Sequence, residues 1–238
     1  MRYLFCLLFM CFQGWSQTLV GVEPIADKDL RAWHEPSVAG YAGAYHFGMS
    51  EAESELVLVV SGGVMTAQIR SGGWAQHPER WQWHYQTLTN VRVVGNLFYS
   101  TETTGRFVSF AGDSVTEYGL LVNKPWSLTA RGSHKEVGMR EVVDLKDYYD
   151  GQYAQASCSL LTPASLVAYS STQLALMHNE VLARYGYRFA KGQPMQTYFA
   201  KQKWYKPEYS DVAKWLTPLE RLNLTTIRKV EQQLALPK

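Results

Sequence analysis

Asn179-Glu180-Val181-Leu182-Ala183-Arg184-Tyr185-Gly186-Tyr187-Arg188-Phe189 is the stretch that decides the fold of the C-terminal part of this 238-residue chain. Apolar residues recur at helical spacing from Leu174 to Leu182, which predicts an amphipathic helix. Gly186 follows the last periodic residue, where a glycine with a positive φ commonly ends a helix. The stretch therefore predicts a helix that stops at Gly186 and turns into an aromatic segment.

The residues after this helix predict a small helical module with an aromatic core. Tyr198-Phe199 and Trp204-Tyr205-Lys206-Pro207 place four aromatic residues in a short span. Thr217-Pro218-Leu219-Glu220 has the form of a capping box, in which Glu220 reaches back to the cap residue, and it predicts the start of a last helix. The segment from Ser170 to Glu231 is thus predicted to be all-helical.

The order of these motifs resembles the YARHG domain family over about residues 165–235. The shared elements are Asn-Glu, Ala-Arg-x-Gly-Tyr-x-Phe, Tyr-Phe, Trp-Tyr-x-Pro and Leu-Thr-x-Leu-Glu-x-x-Asn. The resemblance implies a bacterial, extracytoplasmic protein, and the family has no established activity. The motif positions of the helical module are Asn179, Glu180, Arg184, Tyr185, Gly186, Tyr187, Phe189, Tyr198, Phe199, Trp204, Tyr205 and Pro207.

Two positions depart from the family pattern. Tyr185 stands where the name-giving motif has His, and His178 stands where Arg usually precedes Asn-Glu. A tyrosine does not titrate near neutral pH as an imidazole does. The departures therefore argue against an enzymatic use of the module, and we expect no catalytic residue in it.

The N-terminus predicts export. Arg2, the apolar run from Tyr3 to Phe12 and the small residues near Ser16 are typical of a signal peptide over residues 1–16. The run is too short for a membrane-spanning helix, which needs about 20 residues. Lipidation at Cys6 or Cys11 is the alternative, and the large residues before both cysteines oppose it. We expect a periplasmic or extracellular protein.

Cleavage after Ser16 would leave Cys158 as the remaining cysteine, so no internal disulfide is expected. Its apolar neighbours Leu160 and Leu161 favour burial over intermolecular pairing.

Residues 17–150 predict an antiparallel β barrel or sandwich. Alternating residues from Glu55 to Ser61 precede Gly62-Gly63, which predicts a two-residue hairpin turn. A second hairpin is predicted around Gly95-Asn96. Seven or eight short strands with no helical period between them indicate one β domain, and its pattern is weakly lipocalin-like. The fold class is therefore α+β by domains, with residues 151–164 as a linker and residues 165–236 as the helical domain.

Two candidate binding surfaces follow from aromatic and charged residues. Trp81, Trp83 and Tyr85 alternate on one strand face, which would stack sugar rings if open and would be domain core, the interpretation we favour, if closed. Lys201, Lys203 and Lys206 cluster around Trp204 and Tyr205. Histidines at positions 46, 77, 84 and 134 match no metal-binding signature, so neither a metal nor a cofactor is expected.

The charge distribution is uneven. Residues 17–169 contain 11 Lys and Arg against 16 Asp and Glu, whereas residues 170–238 contain 11 against 5. The two parts could attract each other, or the basic part could contact an anionic cell-envelope polymer or an envelope protein. The basic residues form no dense cluster, so nucleic acid is not an expected partner.

These observations predict an exported, non-catalytic protein that binds in the cell envelope. The alternatives are a hydrolase that acts on an envelope substrate and a small-ligand carrier that uses the β domain. A carrier requires an apolar pocket inside the β domain, and an enzyme requires titratable groups that converge in a cleft.

Overall fold

The computed structural model describes residues 25–49, 53–75, 80–112, 115–127 and 135–235. The predicted signal peptide lies outside these residues, as do His77 and His134. None of the described helices combines the length and the apolar character that a membrane crossing requires.

An antiparallel β region is followed by a helical region, as the sequence predicted. The strands are β1 (Arg31–Ala32), β2 (Gly43–Phe47), β3 (Ser54–Ser61), β4 (Val64–Ala75), β5 (Arg80–Thr87), β6 (Arg92–Val94), β7 (Leu97–Tyr99), β8 (Thr104–Ala111), β9 (Thr116–Val122) and β10 (Glu136–Glu141). Short 3-10 helices cover Asp27–Asp29 and Val38–Tyr41.

The strands form one sheet in the order β5-β4-β3-β2-β10-β9-β8-β7-β6, and β1 pairs with β8. Both predicted hairpins are confirmed: Ser61 pairs with Val64 across Gly62-Gly63, and Val94 pairs with Leu97 across Gly95-Asn96. Gly62 and Gly63 both have a positive φ, as a two-residue hairpin turn demands. The path of strand pairing does not close on itself among the described residues.

Strand alternation gives the sheet an inner and an outer face. The inner face is filled by large buried side chains, among them Tyr45, Phe47, Leu56, Phe98 and Phe107. The outer face of β3, β4 and β5 is covered by the helical region. There Val57 and Val59 pack in one apolar cluster with Cys158 and Leu219. Cys158 is buried, as its neighbours predicted.

The helices are α1 (Leu145–Tyr148), α2 (Gln155–Cys158), α3 (Pro163–Leu166), α4 (Ser171–Arg184), α5 (Pro194–Phe199) and α6 (Pro218–Ala235). The range predicted as a linker contains α2 and the first residues of α3. Ser170 caps α4, and Thr217 with Glu220 forms the predicted capping box of α6. Leu174, Met177 and Val181 of α4 pack against α6 in the core of the helical region.

The turn after α4 needs a glycine. Gly186 has φ +74°, which confirms the left-handed conformation that the sequence predicted. A Cβ there would lie 2.8 Å from the carbonyl oxygen of Lys206. The Gly186 carbonyl accepts the backbone N–H groups of Glu208 and Tyr209, so this turn joins the end of α4 to the segment before α6.

We expect Gly186→Ala to lower the free energy of unfolding by about 2 kcal/mol or more, since a left-handed alanine costs roughly 1–2 kcal/mol before any clash. Gly192→Ala is the matched control: Gly192 has φ +81° with open space around it. Urea denaturation of both variants measures the difference. Equal losses of stability in the two variants would show that the Lys206 carbonyl moves away from the new Cβ without an energetic cost.

The contact between α4 and α6 includes a histidine that is held neutral. Burial, together with the nearby Arg228 guanidinium, lowers the pKa of His178 to about 4, from its ordinary value of 6.5. Arg228 Nε donates to His178 Nε2 at 3.0 Å, a bond that only the neutral ring can accept.

This histidine makes stability depend on pH. The unfolded chain binds the proton near pH 6.5 and the folded chain only near pH 4, so the contribution is complete above pH 6.5 and is lost as the pH falls toward 4. We expect a loss on the order of 2 to 3 kcal/mol across this window. His178→Gln keeps an acceptor for Arg228 without titrating. Urea denaturation at pH 7.5 and 4.5 should show a smaller loss for this variant, and an equal loss would contradict the assignment.

Candidate functional site

A pocket of about 310 Å³ lies between the outer face of the sheet and the helical region. Strand alternation places Arg70 of β4 and Trp83 and Tyr85 of β5 on this face, where they form one wall. The other side is formed by residues of the helical region, chiefly Tyr148, Tyr149, Arg184, Tyr185, Lys203, Trp204, Lys206, Glu208, Tyr209 and Glu220. The pocket therefore exists only because the two regions dock.

Arg70 is fixed in the sheet wall. Its guanidinium lies over the rings of Trp83 and Tyr148, at 4.6 and 4.9 Å from their centroids. Its Nε and Nη2 donate to Glu55 Oε2 at 3.0 and 2.6 Å. Tyr148 also donates its hydroxyl to that oxygen, at 2.6 Å. The charge of Arg70 is therefore already paired, and its side chain is a fixed part of the pocket wall.

Arg184 is fixed on the helical side. It donates to the Asp150 carbonyl, to Ser157 Oγ and to Glu180 Oε1, at 2.7, 2.8 and 2.5 Å. Glu180 is 1% exposed and also accepts the backbone N–H groups of Gln152 and Tyr153. The Glu180–Arg184 pair therefore holds the chain around residues 150–153 against α4. The pair is buried and joins two segments, so it differs from an exposed i, i+4 pair on a helix surface.

Tyr185 joins the two regions at the back of the pocket. Its hydroxyl lies 2.8 Å from Glu220 Oε2 and 3.1 Å from Gln68 Oε1 of β4. Its ring meets Tyr85 edge to face, with 4.8 Å between centroids. Burial raises the pKa of Tyr185 well above its ordinary range. The residue that replaces the family's histidine is therefore a neutral interface residue in this chain.

Glu220 is occupied by structural hydrogen bonds. Ser157 donates to Oε1 at 2.7 Å, and the Thr217 N–H and the Tyr185 hydroxyl both reach Oε2. Burial raises the pKa of Glu220, whereas these donors act to lower it. A carboxylate with three donors in place is suited to hold helices together. It is poorly placed to serve as a free acid or base.

The rim of the pocket carries two free cations. Lys203 and Lys206 are exposed, and within the described ranges neither ammonium has an ion pair or a hydrogen bond. Trp204 lies half-buried between them. Lys201 is also exposed but does not line the pocket. The structure thus brings two of the three predicted lysines to one site.

The other motif residues build the helical region. Phe189 stacks on Phe199 with 5.0 Å between centroids, and Tyr205 donates its hydroxyl to the Tyr187 carbonyl at 2.7 Å. Tyr198 meets Phe199 edge to face. Asn179 donates to the Ala175 carbonyl of its own helix at 2.7 Å. Pro207 is exposed and follows the rim residue Lys206.

The three aromatics of β5 lie on the outer face, half-buried. Trp83 and Tyr85 line the pocket. Trp81 instead packs over Gly72, where a Cβ would overlap its ring, and meets Trp74 and Trp83 edge to face. We expected this face to form the core of the β domain. In the structure it is the outer face of the sheet, and the helical region covers it.

The two regions are joined mainly by uncharged hydrogen bonds. Gln68 Nε2 donates to the Trp215 carbonyl at 2.6 Å, and Gln82 Nε2 donates to the Tyr209 hydroxyl at 2.7 Å. The ion pair between Arg80 and Glu208 places the cation on the sheet and the anion on the helical region. This contact runs against the net charges of the two parts.

Sequence reasoning missed the pocket residues Arg70, Tyr148, Tyr149, Tyr209 and Glu208. The alternation of β4 was a signal that Arg70 faces away from the sheet core. No sequence signal showed which residues of the distant helical region would cover it.

We expect Tyr185→Phe to lower the free energy of unfolding by about 1 to 3 kcal/mol, because it removes a buried donor between Glu220 and Gln68 and keeps the ring. Tyr198→Phe is the control, since no hydrogen bond of the Tyr198 hydroxyl is present among the described residues, and it should change stability by about 0.5 kcal/mol or less. Urea denaturation measures both. Equal values would remove the assigned role of the Tyr185 hydroxyl.

Comparison with known families gives one match. Residues 144–232 match the family model of the YARHG domain, which covers the helical region from the start of α1 nearly to the end of α6. No curated protein and no solved structure matched the chain.

Proposed function

Residues 144–232 of the chain are a YARHG domain, and we propose that the protein is an exported bacterial protein that binds an anionic cell-envelope polymer without catalysis. The polymer enters the pocket between the sheet and the YARHG domain. The observation that carries this proposal is the pair of unpaired ammonium groups, Lys203 and Lys206, at the rim of an aromatic pocket.

The free rim cations favour an anionic ligand. Arg70 and Arg184 face the same pocket, but the guanidinium of each already donates to internal acceptors. Among the residues that the structure describes, Lys203 and Lys206 have no such partners. A carboxylate or phosphate of a ligand can bind them without displacing an internal contact, and charge-assisted hydrogen bonds are stronger than neutral ones.

The aromatic walls favour a sugar as the unit that carries the anion. Trp83 and Tyr85 on one side and Trp204 and Tyr209 on the other line the pocket. Flat aromatic rings with polar edges provide apolar contact and hydrogen-bonding groups together, a combination that suits sugar rings. A pocket of about 310 Å³ has room for a short segment of a polymer.

The chemistry of the buried groups favours binding over hydrolysis. A general acid or base must lie within hydrogen-bond reach of the reacting atom. Glu220 and Tyr185 have raised pKa values because they are buried, and each is bonded to other protein groups. The inner face of the sheet is filled by its own aromatic residues, so the carrier alternative gains no support there.

Export rests on the leader-like residues 1–16 and on the kind of protein that the family resemblance implies. An apolar run of about ten residues after Arg2, followed by small residues, fits a cleavable leader. An envelope location would bring the rim lysines into contact with polymers that carry carboxylates and phosphates.

We expect the double variant Lys203→Gln/Lys206→Gln to bind envelope polymers at least tenfold more weakly than the parent protein. A tenfold change corresponds to a loss of about 1.4 kcal/mol of binding free energy, shared between the two ammonium groups. Binding of the parent should also weaken as salt screens the exposed charges. The probes are soluble peptidoglycan fragments, which carry carboxylates, and a phosphate-bearing envelope polysaccharide. Isothermal titration calorimetry measures the dissociation constants.

Lys201→Gln is the matched control, because Lys201 is an exposed lysine of the same segment that does not line the pocket. It should bind as the parent does. Equal losses in both variants would point to a general charge effect instead of a site. Release of cleaved fragments by the parent protein would replace the binding proposal with the hydrolase alternative.

A further inference from the structure

A second group of polar side chains, which contains one imidazole and two carboxylates, lies on the outer face of the sheet, beyond the pocket. His46 of β2 is the direct cross-strand partner of Glu55 on β3. Glu141 of β10 pairs with Ala44, two residues before His46, so its side chain lies diagonally beside His46 on the same face. Three neighbouring strands thus bring one imidazole and two carboxylates together.

The ligand atoms of these three residues lie near the spacing of a metal site. His46 Nε2 lies 2.8 Å from Glu141 Oε2 and 3.7 Å from Glu55 Oε1, and all three atoms lie within 4.8 Å of one another. Ligand atoms bound at about 2.1 Å from one cation lie roughly 3 to 3.5 Å apart. A cation could therefore be bound with small side-chain rotations.

Neighbouring groups hold two of these ligands in orientation. Glu53 contacts His46 Nδ1, and a proton shared in that contact leaves Nε2 as the ring nitrogen that faces Glu141 and Glu55. Arg70 and Tyr148 bond Glu55 Oε2, so Oε1 is the oxygen that faces His46. Histidines that bind metals usually donate their other ring N–H to a carboxylate or a carbonyl, and carboxylate ligands are usually hydrogen-bonded as well.

The charge of the group favours a divalent cation. Glu53, Glu55 and Glu141 carry three negative charges, and the Arg70 guanidinium contacts Glu55. With a neutral imidazole the group has an excess of two negative charges, which a divalent cation balances. The side chains of His46 and Glu141 are 28% and 49% exposed, which leaves access for the ion and for water ligands.

We propose that His46, Glu55 and Glu141 bind a divalent transition-metal cation. One imidazole nitrogen with two carboxylate oxygens suits Zn²⁺ or Mn²⁺ better than Ca²⁺ or Mg²⁺, which prefer oxygen ligands alone. This proposal differs from the prediction from sequence, which expected no metal because the spacing of the histidines along the chain matches no metal-binding signature. Glu141 lies 95 residues from His46, and only the pairing of β2 with β10 joins them.

The proposed site also adjoins the pocket through Glu55. One oxygen of this carboxylate faces the metal position, and the other is bonded to Arg70 and Tyr148, both of which line the pocket. A bound cation would therefore fix the sheet wall of the pocket and its contact with the helical region. It would stabilise the folded protein by an amount that grows with the logarithm of the cation concentration above the dissociation constant.

The test is titration of untagged, metal-free full-length protein with ZnCl₂ and MnCl₂, measured by isothermal titration calorimetry and thermal unfolding. We expect one ion per chain and a rise in Tm of several degrees at saturation. Glu141→Gln and His46→Gln should each weaken binding at least tenfold. Because Glu141 is exposed, its variant should fold, and circular dichroism checks this.

His84→Gln is the matched histidine control, since His84 is exposed on β5 outside the group. It should leave metal binding unchanged, as should Glu117→Gln on β9. Absence of binding at millimolar metal, with a folded parent protein, would show that the group is an ion-pair cluster of a protonated histidine. Binding that survives both Glu141→Gln and His46→Gln would place the ion elsewhere and overturn the proposal.

Discussion

The buried carboxylate of Glu220 is the group on which the arrangement of the two regions depends. It is 1% exposed and accepts hydrogen bonds from Ser157 on α2, Thr217 at the start of α6 and Tyr185 at the end of α4. A buried carboxylate without such donors would cost several kcal/mol. Three segments of the helical region must therefore keep their relative positions, and Tyr185 extends this constraint to Gln68 in the sheet.

This constraint separates the cations of the pocket into two kinds. Arg184 is held by three acceptors, and Arg70 is held by two hydrogen bonds to Glu55 Oε2. Lys203 and Lys206 lie on the segment between α5 and α6, where water solvates their ammonium groups. Charges that already have internal partners position the walls of the pocket, whereas the two lysines have no such partner among the described residues.

The outer face of the sheet connects the pocket with the proposed metal site. Cross-strand pairing aligns His46, Glu55, Arg70 and Tyr85 in a row over β2 to β5, because each is the direct partner of the next. The row begins beside an exposed carboxylate, Glu141, and ends under Tyr185 of the YARHG domain. Polar residues on a half-covered face thus form one continuous set of contacts between two sites.

The sequence by itself determined the local features of this protein, because each depends on residues within a few positions of one another. Examples are the Gly62-Gly63 hairpin, the positive φ of Gly186, the capping box at Thr217 and the YARHG motifs. Only the tertiary structure decided that the face of Trp83 and Tyr85 meets the helical region, that Glu180 and Glu220 are buried network centres, and that His46 lies beside Glu141. Such contacts join residues far apart in the chain, and their geometry follows from which strands pair and which helix covers them.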